Sequence, residues 1–228
     1  RAAYPAGRGW CADDGTGART QQSLDKDIMM HTLKESAELG IKAVTFTGGG
    51  EPLMNPHTPE AMIYARELGM DVGLVTNGSL FNETSIDAVI QSCQFVRISL
   101  DGGSEESHAT VHGIKNPRYG FTTIMKNLET LAARKGEGKE DLVVGLGYLV
   151  DTNNIASALA LAEQARAIGL DYVQFRPLYF DGKPEWTAPW ESAQRTLAKA
   201  KGLETDSFKV HIITDRADEI TMREKPYD

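Results

Sequence analysis

The chain has 228 residues, of which 41% are hydrophobic, so it can bury one sizeable core and fold as a single α/β domain. Its formal net charge of −8 argues against a nucleic-acid partner and an anionic membrane surface, because both require clustered lysine and arginine. No stretch approaches the ~18 apolar residues of a membrane helix, so we expect no membrane partner.

Two cysteines, Cys11 and Cys93, are present. Two thiols are too few for a disulfide framework and fit a reducing compartment, so we expect a cytoplasmic protein. Cys11 lies in the glycine-rich segment 1–22, which is typical of a loop. Cys93 begins a predicted strand at the end opposite the glycine loops, which predicts a buried, small apolar side chain.

The first predicted helix ends at Gly40, and the first predicted strand covers 42–47. This strand runs directly into Gly48, Gly49, Gly50, Glu51 and Pro52. Glycines allow a bound molecule to approach the backbone closely, and a strand end with a carboxylate offers hydrogen-bond acceptors. Glu51 would repel a phosphate, so the pattern favours a site for an ammonium group. A glycine-rich turn without a ligand is the alternative.

Polar residues also follow the next two predicted strands, 71–76 and 95–100. Asn77 follows the first of these and either hydrogen-bonds a ligand at the same sheet edge as Glu51 or serves as a turn residue. Ser99 and Asp101 stand at the end of the other. Asp101 is a ligand-binding candidate or a turn former ahead of two glycines.

Two histidines, His108 and His112, are four residues apart on and just after the short predicted helix 104–111. This spacing puts two imidazoles on one helix face, but no acidic residue or third histidine is spaced to complete a zinc site. We therefore expect substrate contact or helix capping rather than metal binding.

The fourth predicted strand, 142–150, carries Gly145 and Gly147 on one face. These glycines either leave room for a flat ring such as adenine or admit a large neighbouring side chain, and both interpretations stay open. Residues 151–154 are predicted to cap the helix that follows.

Arg176 lies on the fifth predicted strand, 172–178. A buried guanidinium must find an acceptor, which could be a bound carboxylate, a substrate anion or a structural carboxylate. The aromatic loop that follows can line or cover a pocket. A last strand is predicted at 208–213.

Six strands alternating mainly with helices predict parallel βαβ units that close or partly close into a barrel. The glycine loop, Asn77, Asp101 and Arg176 all fall at the carboxyl ends of strands, which form the active face of such a barrel.

Four segments resemble, in order, the strand ends of the radical S-adenosylmethionine (SAM) superfamily: Gly49-Gly50-Glu51-Pro52, Leu74-Val75-Thr76-Asn77-Gly78, Val96-Arg97-Ile98-Ser99-Leu100-Asp101-Gly102 and Val173-Gln174-Phe175-Arg176-Pro177. The first resembles the motif that holds the amino group of SAM's methionine part. The resemblance implies a partial (β/α)6 TIM-like barrel of parallel strands. It also implies SAM-binding residues at Gly48, Gly49, Gly50, Glu51, Asn77, Ser99, Asp101 and Arg176.

The family holds a 4Fe-4S cluster on three thiolates, typically in a Cys-x-x-x-Cys-x-x-Cys loop, and no such loop occurs in this chain. We therefore expect the first strand and the cluster loop upstream of Arg1, with no metal ligand in this chain. Residues 1–22 would then be a loop following that segment, and residues 23–228 the partial-barrel core.

The resemblance implies an enzyme that cleaves SAM to a 5′-deoxyadenosyl radical and abstracts hydrogen from a small-molecule or peptide substrate, with an external electron donor. Two alternatives remain open. One is a cluster-free barrel lyase or aldolase acting on an anionic metabolite through Arg176. The other is a non-catalytic SAM-binding module.

Overall fold

A computed structural model of the protein describes residues 23–48, 50–139, 141–151, 153–177 and 190–213. Within these ranges the strands are β1 (Ala43–Phe46), β2 (Asp71–Thr76), β3 (Cys93–Ser99), β4 (Val143–Val150), β5 (Tyr172–Pro177) and β6 (Lys209–Ile212). The α-helices are α1 (Lys26–Glu38), α2 (Thr58–Glu67), α3 (Glu83–Ser92), α4 (Glu105–His112), α5 (Phe121–Gly136), α6 (Ala158–Ala167) and α7 (Trp190–Lys201). None of these described helices combines the length and apolar character needed to cross a bilayer.

The chain divides into two compact units. Unit 1 comprises Arg1–Ile98 and Lys126–Val143, and unit 2 comprises Ser99–Met125 and Val144–Asp228. In unit 1, β1 pairs with β2 and β2 with β3, all parallel. In unit 2, β4 pairs with β5 and β5 with β6, again parallel. Within each unit the strand order follows chain order, which confirms the predicted α/β class with parallel strands joined by helices.

Local hydrogen bonds define where several helices begin. The Asp25 carboxylate accepts from two backbone N–H groups in the first turn of α1. Asn82 and Ser85 form a capping box at α3, and Ser104 and Ser107 form another at α4. These side chains satisfy N–H groups that have no partner within the helix, so the starts of these helices follow from the local sequence.

Glycine makes room for an aromatic ring in each unit. A Cβ at Gly73 on β2 would overlap the ring of Phe95, its partner in register on β3. A Cβ at Gly145 on β4 would likewise overlap the ring of Tyr172 on β5. Of the two interpretations of Gly145, close packing of a large neighbouring side chain therefore applies. Room for adenine beside Gly147 stays a prediction.

Candidate active site

The loop after β1 presents open main chain. Gly48 and Gly50 are exposed, whereas Gly49 lies outside the described residues. Among the described residues, a Cβ built on Gly50 would meet no atom within 4 Å, and one on Gly48 would come no closer than 3.7 Å, to Gly50 N. A ligand can therefore approach the backbone at Gly50 without displacing protein atoms.

Glu51 fixes the shape of this loop. Its Oε1 accepts hydrogen bonds from the Leu53 N–H at 3.1 Å and from Thr76 Oγ1 at 2.6 Å. Its Oε2 accepts from the Asn77 N–H at 2.7 Å. Donors from the described residues thus occupy three of the carboxylate's acceptor positions, of which there are about four. Glu51 joins the loop after β1 to the end of β2, a role that the sequence did not indicate.

Asn77 fills the turn role that the sequence left open, and its ligand role stays a prediction. Its Oδ1 accepts from the N–H and the hydroxyl of Ser79, at 2.9 and 2.7 Å, as in an Asx turn. The left-handed conformation falls on Gly78, at φ +75°, so Asn77 does not need it. The residue is exposed, and its Nδ2 makes no hydrogen bond to the described part of the chain. The oxygen shapes the turn, and the nitrogen can donate to a ligand.

Ser99 and Asp101 differ in exposure. Ser99 is exposed at the carboxyl end of β3, whereas Asp101 is buried, with 8% of its surface exposed. The Asp101 Oδ1 accepts from the Leu149 N–H at 2.6 Å, and its Oδ2 lies 3.4 Å from His112 Nε2. Both carboxylate oxygens therefore face groups of the protein itself.

Arg176 lies one strand further on and is half-buried on β5. It pairs in register with Leu149, the residue whose N–H Asp101 accepts. Unit 2 therefore places Asp101 and Arg176 on either side of one β4 residue. Unit 1 places Glu51 and Asn77 in direct contact.

Asn154 is a central residue of unit 2 that the sequence analysis interpreted wrongly. It is 1% exposed, and its Nδ2 donates to the carbonyls of Leu149 at 2.8 Å and Asp101 at 3.1 Å. Its Oδ1 accepts from the Asp151 N–H at 2.7 Å, and its own carbonyl accepts from the Tyr148 hydroxyl. The side chain makes no helix-capping hydrogen bond. Within unit 2, the predicted cap instead hydrogen-bonds the loop at Asp101 to the end of β4, a role that no local sequence signal distinguishes.

Cys93 occupies the amino end of β3, as predicted, and is fully buried. Burial raises the pKa of its thiol to about 11. In the described ranges, no group of three histidine, cysteine or acidic side chains is arranged to hold a metal ion. Cys11 lies outside those ranges. The described residues therefore do not fit a 4Fe-4S cluster, which needs several thiolates together.

The buried thiol of Cys93 should react slowly with iodoacetamide in the native protein. A rise from 9.0 to about 11 lowers the thiolate fraction at pH 8 about 100-fold, and burial slows access further. Peptide mapping by mass spectrometry, in buffer and in urea, measures the rate for Cys93 separately from Cys11. Equal rates for Cys93 in both solvents would contradict this assignment.

These features define an α/β protein of parallel strands that carries an open glycine loop at one strand end and hydrogen-bonded polar loops at others. A family model described as the Radical SAM superfamily matches residues 9–165. The chain therefore belongs to the radical SAM superfamily and is an enzyme of that class.

Among curated proteins, the chain is 26% identical over 160 residues to the AdoMet-dependent heme synthase of Methanosarcina barkeri, covering 70% of this chain and 43% of that protein. It is 24% identical over 174 residues to the PqqA peptide cyclase of Gluconobacter oxydans, covering 76% and 46%. The chain thus spans less than half the length of these two relatives.

A solved structure shows the same fold. SuiB of Streptococcus suis, bound to its precursor peptide SuiA, matches with a TM-score of 0.66 at 12% identity, covering 92% of this chain and 48% of SuiB. This match supports the predicted TIM-like barrel architecture.

Proposed function

We propose that this protein is a radical SAM enzyme that cleaves SAM reductively and abstracts hydrogen from a substrate. One electron breaks the C5′–S bond of SAM, which yields methionine and a 5′-deoxyadenosyl radical. The radical takes a hydrogen atom from the substrate and becomes 5′-deoxyadenosine. The observation that carries the proposal is the open glycine loop at the end of β1, held in shape by three hydrogen bonds to Glu51.

Main-chain and side-chain groups at this loop are the proposed contacts for SAM. Main-chain carbonyls of Gly48, Gly49 and Gly50 would accept from the ammonium group, because a strand end exposes acceptors. Glu51 adds negative charge beside them while it keeps the loop in place. The exposed Nδ2 of Asn77 can donate to an acceptor on SAM.

In unit 2, Arg176 and Ser99 are the proposed contacts for the carboxylate and ribose of SAM. A guanidinium binds a carboxylate through two parallel hydrogen bonds, which suits Arg176 to the methionine carboxylate. Ser99 is exposed and has a hydroxyl that both donates and accepts. Asp101 would act indirectly, because it accepts a hydrogen bond from the Leu149 N–H and Leu149 pairs in register with Arg176.

A 4Fe-4S cluster would supply the electron, as the family implies, with an external electron donor to reduce it. Because the described residues do not fit the cluster, we assign no residue to it. We propose residues 23–228 as the core of the enzyme and residues 1–22 as the loop that leads into it. A cytoplasmic location agrees with the low cysteine content and with an oxygen-sensitive cofactor.

A peptide is the proposed class of substrate. The PqqA peptide cyclase acts, by its name, on a peptide, and SuiB was solved with its precursor peptide bound. The heme synthase makes a small-molecule substrate the second candidate.

An anaerobic assay tests the proposed chemistry. The protein, produced from its complete reading frame, is reconstituted with iron and sulfide, reduced with dithionite and incubated with SAM. We expect 5′-deoxyadenosine and methionine in equal amounts, and neither without dithionite. SAM binding without 5′-deoxyadenosine would instead indicate a non-catalytic SAM-binding module. The absence of both SAM binding and 5′-deoxyadenosine would instead indicate a cluster-free barrel enzyme.

A further inference from the structure

Two histidines and an aspartate form a compact group in unit 2, which we call the histidine cluster: Asp101, His108 and His112. Nε2 of His112 lies 3.4 Å from Oδ2 of Asp101. The rings of His108 and His112 are 4.7 Å apart, centroid to centroid. The cluster links the loop after β3 to the last turns of α4.

The two imidazoles have different surroundings. The side chain of His112 is 35% exposed, faces a carboxylate and lies in the last turn of α4, where the helix dipole favours a cation. His108 is 5% exposed, and its Nε2 lies 3.3 Å from the carbonyl of Tyr119. Burial, and then the charge of His112, lower the pKa of His108. The surroundings of His108 therefore favour a neutral ring.

The hydrogen bonds of His108 agree with this assignment. Its Nδ1 is buried and has no hydrogen-bond partner among the residues that the structure describes. In a neutral ring that donates from Nε2 to Tyr119, Nδ1 carries a lone pair rather than a proton. An imidazolium would instead bury an N–H without an acceptor among the described residues, which is unfavourable.

We propose that His112, as an imidazolium, is a positioning residue for the end of β4. Its charge holds Oδ2 of Asp101, which directs Oδ1 onto the Leu149 N–H at 2.6 Å. Leu149 pairs in register with Arg176, so the position of this strand end sets the position of the guanidinium. The consequence for SAM rests on the proposed function, whereas the effect on Leu149 does not.

Other charged groups near the cluster do not replace His112. Glu105 lies on α4, but its Oε2 accepts from the N–H and the hydroxyl of Thr122, both at 2.8 Å. Asp151, after β4, is negative and cannot pair with Asp101. His108 remains neutral for the reasons given above. In the described part of the chain, His112 is thus the basic side chain within ion-pair distance of Asp101.

Amide hydrogen exchange at Leu149, followed by NMR between pH 5.5 and 8.5 and divided by the intrinsic rate, tests this role. In the wild type at pH 6 we expect protection of Leu149 about tenfold above that in His112→Gln. His112→Arg should keep high protection at every pH, because arginine does not titrate in this range. His112→Gln should show low protection at every pH.

A matched control is His31→Gln. His31 pairs with Glu35 at 3.2 Å on the exposed face of α1, so its loss should leave Leu149 unchanged. Equal protection and an equal pH profile in the wild type, His112→Arg and His112→Gln would overturn the proposal. If His112→Gln does not fold, His112→Arg decides, and low protection of Leu149 in that variant would overturn the proposal.

SAM affinity, measured on the same samples, separates this proposal from the proposed function. We expect about threefold to tenfold weaker SAM binding in His112→Gln and wild-type binding in His112→Arg at pH 6. If protection of Leu149 follows the charge of residue 112 but no variant binds SAM, the positioning role at β4 is supported and the proposed function is overturned. If SAM binds but protection of Leu149 does not depend on residue 112, the positioning role is overturned and the proposed function is not.

Discussion

Replacing Asn154 with alanine is expected to lower the free energy of unfolding by about 3 kcal/mol. The change leaves three backbone groups without their partner: the buried carbonyl of Asp101 and the partly buried carbonyl of Leu149 and N–H of Asp151. A buried polar group that loses its hydrogen bond costs more than a typical bond contributes, because water cannot replace the partner. Urea unfolding followed by circular dichroism measures the change.

The neighbouring residue supplies the control for this experiment. Asn153 is exposed, and its Nδ2 donates to Asp151 Oδ2 at 3.1 Å on the surface. Asn153→Ala should change the free energy of unfolding by less than about 0.5 kcal/mol. Equal changes in the free energy of unfolding for the two substitutions would show that the hydrogen bonds of Asn154 do not stabilise this part of unit 2.

Replacing Glu51 with alanine is expected to weaken SAM binding by at least about tenfold. The substitution removes a negative charge from the proposed ammonium site and releases the hydrogen bonds from Leu53, Thr76 and Asn77. The glycine loop then loses the contact that holds it beside the end of β2. Equilibrium dialysis with labelled SAM measures the affinity.

Glu51→Gln separates charge from geometry. A glutamine presents one oxygen and one NH2 group, but donors face both oxygens of Glu51, so one side of the network must break. We expect SAM affinity near that of the alanine variant. Glu60→Ala is the control, because Glu60 is exposed and pairs with Lys26 on the surface. Wild-type affinity in both Glu51 variants would remove this residue from the SAM site.

The strands followed closely from the sequence. β2 was predicted at 71–76 and spans Asp71–Thr76, and β4 was predicted at 142–150 and spans Val143–Val150. Apolar and β-branched runs that end in glycine or asparagine carry this information locally. Parallel strands in sequence order then bring neighbouring carboxyl ends to one edge within each unit.

The partners of the site residues did not follow from the sequence. Glu51 was predicted to face a ligand, yet its carboxylate also accepts from Thr76, 25 residues away. Asp101 contacts Leu149 across 48 residues. Such contacts depend on how two loops meet, and neither loop contains a pattern that specifies the other.

The order of elements, the places where polar residues follow strands, and membership of the radical SAM superfamily were all determined by the sequence itself, because periodicity and short motifs are local properties. Only the tertiary structure decided that Glu51 hydrogen-bonds Thr76, that Asn154 hydrogen-bonds Asp101, and that His112 faces Asp101. A hydrogen bond depends on distance and direction to within a fraction of an ångström, and only the packed chain sets these for residues far apart in sequence.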